Sequence, residues 1–134
     1  MADDSIAGKW KLDRSENFEE FLEEMGAPWI ARKAAAKSSP TQEIIINGDQ
    51  IEIKISSIMS TNIMKFTIGT EFESEWAKNK SKAIANWEDG KLVLKENGAN
   101  GEIVTTRHVE GGELMMILNT PKGVVCKRIF KKSE

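Results

Sequence analysis

The chain has 134 residues, 30% of them charged and 40% hydrophobic, with 19 Lys+Arg against 21 Asp+Glu and a formal net charge of −2. Residues 1–134 are expected to form one domain, since a chain this long buries roughly two-thirds of its unfolded surface and needs no metal or disulfide to hold a core. The lone cysteine, Cys126, excludes an internal disulfide and points to a reducing compartment, and the balanced charge argues against a nucleic-acid partner.

The first residues, Met1-Ala2-Asp3-Asp4-Ser5-Ile6, carry neither a basic n-region nor an apolar run, and no stretch approaches the roughly 20 apolar residues of a membrane span. A cytosolic monomer is expected, with nuclear import through folded surface left open. Ile6 to Leu12 reads as a leading strand. Phe18, Phe21, Leu22 and Met25 then fall at i, i+3, i+4 and i+7, one face of a helix over about 16–25, with Ser15 as N-cap and Gly26 as terminator. Pro28 suits the first turn of a second helix over about 28–37, whose alanine-rich body ends at Ser38-Ser39-Pro40.

From Thr41 onward the pattern changes to short β-branched or alternating runs. Nine are expected: Glu43 to Asn47, Gln50 to Ser56, Asn62 to Ile68, Glu71 to Trp76, Lys82 to Trp87, Lys91 to Glu96, Glu102 to Val109, Glu113 to Asn119 and Val124 to Lys131. Turn chemistry such as Asn47-Gly48-Asp49 and Gly111-Gly112 separates them. Connections this short force antiparallel neighbours. Ten strands in up-and-down order would leave two vulnerable edges unless they close, so the expected fold is an all-β, ten-stranded antiparallel barrel. The helix-turn-helix inserted after strand one would cap a mouth, and a barrel of this size has room for a ligand.

Period-two alternation then exposes an anomaly. In Val124 to Lys131 the face with Lys127 and Lys131 meets solvent, which turns Cys126, Arg128 and Phe130 inward. The same test in Glu102 to Glu110 puts Thr106 and His108 outside and Arg107 inside. Two inward arginines cost several kcal/mol each if unpaired and cannot escape by losing a proton. Internal carboxylates, carbonyls or water could meet them. Alternatively they form the cationic end of an apolar cavity for an amphipathic monoanion.

Gly8-Lys9-Trp10-Lys11-Leu12 followed by Asn17-Phe18-Glu19-Glu20-Phe21-Leu22, with Gly69-Thr70-Glu71-Phe72 and the ending Cys126-Lys127-Arg128-Ile129-Phe130, resembles the intracellular lipid-binding proteins, which include fatty-acid-binding and retinoid-binding members. The ending is similar to the intestinal-type branch of the fatty-acid binders. The resemblance implies a clam-shaped ten-stranded barrel, a helical lid, one bound lipid, no cofactor and no enzymatic role. It implies that Arg107 and Arg128 hold the ligand carboxylate, Arg107 being the principal anchor. Phe130 stands where the family commonly has the tyrosine of an Arg-x-Tyr clamp, so that clamp lacks a hydroxyl. It also implies a portal between the second helix and the turns after strands three and five, where Trp29, Ile30, Lys33, Met59, Ala77 and Lys78 fall. By parity, Met116, Leu118, Val109, Cys126 and Phe18 are cavity candidates.

The expected function is that of a cytosolic carrier for a long-chain fatty acid. The alternatives are a retinoic-acid-type carrier and a ligand-switched module that delivers lipid to a nuclear receptor. Arg32, Lys33 and Lys37 on the lid are a solvated helix face, a transient contact for anionic membranes, or an import signal. His108, the only histidine, is expected to be solvated; with no second His or Cys nearby it supports no metal site. Glu19-Glu20 and Glu23-Glu24 are expected on the wet side of the first helix.

Overall fold

The computed structural model describes residues 4–57, 61–76, 79–98 and 101–133. A single 3-10 turn, Asp4–Ile6, leads into β1 (Gly8–Glu16), α1 (Phe18–Glu24) and α2 (Trp29–Ala36). The remaining strands are β2 (Thr41–Asn47), β3 (Gln50–Ser56), β4 (Thr61–Thr67), β5 (Phe72–Trp76), β6 (Asn79–Glu88), β7 (Lys91–Gly98), β8 (Gly101–Glu110), β9 (Glu113–Asn119) and β10 (Val125–Ser133).

All pairings are antiparallel, in the order β4-β3-β2-β1-β10-β9-β8-β7-β6-β5, so the first and last strands of the chain, β1 and β10, pair in the middle of the sheet. β4 and β5 share no ladder; Phe66 and Phe72 stack across the interval with ring centroids 4.9 Å apart. The result is a nearly closed barrel with two helices after strand one. Its core runs from Ile6 and Trp10 through Ile44, Ile53, Leu92 and Leu114 to Phe130, all buried. Alternation produces this: β3 reads exposed–buried from Gln50 through Ile53, and β9 buries Leu114, Met116 and Leu118 in turn. Between β8 and β9, Gly111 and Gly112 both take positive φ (61° and 79°), the backbone of a type I′ hairpin turn.

The start of the chain differs from the reading above. Ile6 is not in a strand; it is fully buried in the 3-10 turn, where its carbonyl accepts from Trp10 Nε1 at 2.9 Å. β1 instead continues to Glu16, because after an irregularity between Leu12 and Arg14 it stays paired with β10, Ser15 lying opposite Arg128. Ser15 is therefore a strand residue, and Asn17, in the left-handed region (φ 60°), is the N-cap of α1. The lid helices are correspondingly shorter than 16–25 and 28–37.

α1 is fastened at both ends. Asn17 Nδ2 donates to the Val125 carbonyl at 3.0 Å. At the other end, the Glu24 carboxylate accepts from Thr120 Oγ1 and, at 3.2 Å, from the Lys122 backbone N–H. Glu24, half-buried, thus ties the helix to the β9–β10 turn. α2 buries no residue fully.

Candidate functional site

The strand register builds the site. On the inner face Leu92, Arg107, Met116, Arg128 and Ser15 lie side by side on β7, β8, β9, β10 and β1. One level away Leu94, Thr105, Leu118 and Cys126 form the next row. Against these rows lies a cavity of about 510 Å³, lined by Ile53, Ile55, Met64, Phe72, Leu94, Met116 and Leu118, with Asn62, Ser74, Glu96, Thr105 and Arg107 among its polar groups.

Arg107 is 2% exposed. Its Nε donates to Gln42 Oε1 at 2.6 Å, and Gln42 Nε2 reaches Met116 Sδ at 3.7 Å. Nη1 is buried with no hydrogen-bond partner. Burial pulls the guanidinium down to about 10, against a smaller upward effect of the Glu96 charge, which leaves it a cation at neutral pH. A buried cation with an unpartnered nitrogen has a donor free for an anionic or carbonyl partner.

Arg128 is placed differently. Its guanidinium lies 3.7 Å from the Phe18 ring centroid, and Nε donates to Ser15 Oγ at 3.2 Å. Burial pulls it down to about 10 as well. It lines a separate hollow of about 410 Å³ between the end of β1, α1 and the end of α2, together with Phe18. The two arginines share one row but line different cavities, with Met116 between them.

Of the apolar candidates, Met116 and Leu118 line the cavity. Cys126 and Phe130 are buried in the core, Phe130 in the row Val109–Leu114–Phe130–Leu12 next to the arginine row. Val109 packs partly buried against that core. Burial pushes the Cys126 thiol up to about 11, which makes it an unreactive small hydrophobe. Trp29 and Ile30 are 62% and 75% exposed on α2, and Lys33 Nζ sits 3.3 Å from Glu19 Oε1 on α1. Met59, Ala77 and Lys78 lie outside the described residues. His108 is half-buried, with Nδ1 sequestered and unpartnered. Among the described residues no three His, Cys, Asp or Glu side chains cluster as metal ligands, and no helix is long and apolar enough to cross a membrane.

Most of the cavity lining is not named by the sequence alone, and with it go four buried polar residues at the site, Gln42, Ser74, Glu96 and Thr105, each no more than 9% exposed. The signal existed for Glu96, which continues the inward alternation of Leu92 and Leu94. Gln42 was lost because its strand starts at Thr41 rather than Glu43.

A family model described as Lipocalin / cytosolic fatty-acid binding protein family matches residues 7–132. The chain is 36% identical over 129 residues to the sodium/calcium exchanger regulatory protein 1 of Doryteuthis pealeii, covering 96% of this chain and 97% of that protein. It is 34% identical over 132 residues to retinol-binding protein 1 of Homo sapiens, covering 96% and 97%. Among solved structures, the REP1-NXSQ fatty acid transporter superposes with a TM-score of 0.91 at 35% identity, covering 96% of each chain.

Proposed function

Because the chain belongs to the lipocalin and cytosolic fatty-acid-binding protein family, whose members are lipid carriers rather than enzymes, we propose that it carries one long-chain fatty acid whose carboxylate is held by Arg107. The observation that supports this most is the 2% exposed Arg107, with Nη1 unpartnered, at the wall of a cavity that also carries Ile53, Ile55, Met64, Phe72, Leu94 and Leu118. Each methylene moved from water into that cavity contributes about 0.8 kcal/mol, so the chain supplies affinity and the arginine sets orientation. Arg128, already occupied by Phe18 and Ser15 and lining the other hollow, has a secondary share. Phe130 brings no hydroxyl to the headgroup.

Titration of a fatty acid against wild type, Arg107→Gln and Arg128→Gln tests this. Loss of a charge-assisted pair at about 1.5–3 kcal/mol corresponds to roughly 10–100-fold weaker binding for Arg107→Gln, and the loss for Arg128→Gln should be several times smaller. Equal losses, or equal affinity of wild type for the acid and the matching alcohol, would remove the anchor.

The resemblance to a retinol-binding relative supports a second reading, a retinoid ligand. An alcohol headgroup needs no cation, so two inward arginines favour the acid form, and retinoic acid against retinol in the same titration separates them. The carrier works in the cytosol as a monomer under this reading. Exposed Trp29 and Ile30 on α2, with Lys33 beside them, support transient membrane contact during transfer, read as faster transfer to vesicles containing anionic lipid. Delivery to a nuclear receptor would appear as a ligand-dependent nuclear fraction that Arg32→Ala/Lys33→Ala abolishes.

A further inference from the structure

A plain acyl chain offers Glu96 no hydrogen bond, although the Glu96 charge already acts on Arg107 within the same cavity. Glu96 is 9% exposed inside the cavity, where Ser74 Oγ donates to its Oε2 at 2.8 Å. Ser74 lies on β5 and Glu96 on β7, and they meet diagonally across β6, where Ser81 stands opposite Ser74 and Ala83, 2% exposed, opposite Glu96. Burying a carboxylate beside methylene groups is costly unless donors meet it. Ser74 is one donor, and an ionised carboxylate has about four lone-pair sites to fill. A fatty-acid headgroup at Arg107 would bring a further negative charge into a cavity lined by Glu73 and Glu96 as well as by Lys65 and Arg107.

The spacing of the polar groups carries the argument further. Arg107 faces Leu92, and Glu96 lies four residues further along β7, opposite Ile103, roughly 13 Å of strand. Thr105, 3% exposed, sits on β8 between those two levels, facing the same cavity. The interior therefore has a cationic station at Arg107 and Gln42 and an acceptor-rich station at Glu96 and Ser74, a part of an acyl chain apart.

We infer that the preferred ligand is a long-chain fatty acid bearing a hydroxyl part-way along its chain, the carboxylate at Arg107 and the hydroxyl donating to Glu96. This rests on the Arg107 reading above and adds the substituent. Ser74 holds the Glu96 carboxylate in place, and the ligand hydroxyl gives it a second donor. A hydroxyl at a carbon that faces Ile53, Leu94 or Leu118 instead loses its hydrogen bond to water without replacement.

The test is a set of dissociation constants for stearic acid, its monohydroxy derivatives substituted at successive mid-chain carbons, and stearyl alcohol. Wild type should bind one or two adjacent hydroxyl positions about tenfold tighter than stearic acid and the other positions more weakly. Glu96→Leu should reverse that preference and Glu96→Gln should keep part of it. A flat or uniformly weaker positional series in wild type overturns the inference, and so does a preference that survives Glu96→Leu. The wild-type series decides alone if the leucine variant does not fold. Stearic acid binding no tighter than stearyl alcohol would instead remove the Arg107 anchor, a separate failure.

Discussion

The Cys126 thiol ionises at about 11 in the fold against 9.0 ordinarily, because its burial disfavours the thiolate. Between those values the folded chain keeps a proton that the unfolded chain has released, so this residue's contribution to stability falls as pH rises through the window. Urea midpoints at increasing alkaline pH should fall more steeply for wild type than for Cys126→Ala. Leu114, fully buried between Val109 and Phe130, should cost about 2–5 kcal/mol on change to Ala, measured by denaturant unfolding. Gly8 is more constrained than its size suggests. Its φ of 123° is strained for any side chain, and a Cβ there would displace the Lys132 ammonium from the Trp10 ring and the Ala7 carbonyl. Gly8→Ala should therefore lower stability by roughly 1–3 kcal/mol, read from the same unfolding curves. At this scale parity along the strands was enough to turn Arg107 inward, because one face of β8 alternates cleanly. Parity could not tell that Arg128 would be taken up by Phe18 and Ser15, since both partners lie more than a hundred residues away in the chain, nor that Ile129, on the lysine face of β10, would be buried beside Phe130.

Each helix of the lid is held by a different kind of contact. α1 buries Phe21 and Leu22 and is tied by Asn17 and Glu24 to the two ends of the β9–β10 connection. Thr120 is central there, because its hydroxyl also accepts from the Val124 N–H at 3.0 Å. Thr120→Val keeps the shape and removes both bonds, so it should cost about 1–3 kcal/mol and speed hydrogen exchange of the α1 amides ahead of those in β9. α2 buries nothing fully, and exchange there should be unaffected by the substitution. Nearly every strand was legible as an element, since turn residues and alternation agree. Helix starts were less so. Ser15 has the chemistry of an N-cap, yet the β1–β10 ladder claims it, and pairing with a strand at the other end of the chain leaves no mark in the local sequence.

As a whole molecule, the barrel gives up one ladder, between β4 and β5, and fills the interval with Phe66 on Phe72. That geometry leaves room inside for a cavity of about 510 Å³ that holds Arg107 out of water. The near-neutral net charge of the chain concealed this, because one buried cation among 19 is invisible in a sum. A bound fatty acid stabilises only the folded state, so at a free concentration about 100 times its Kd it should add about 2.7 kcal/mol to unfolding. The most direct test of the carboxylate anchor is NMR of a fatty acid carrying carbon-13 at its carboxyl, bound to the protein and titrated downward from neutral pH. With the headgroup at Arg107, the carboxyl resonance should stay at its ionised position through the ordinary carboxylate range of about 4–5. A resonance that titrates in that range like a solvated acid would contradict the account.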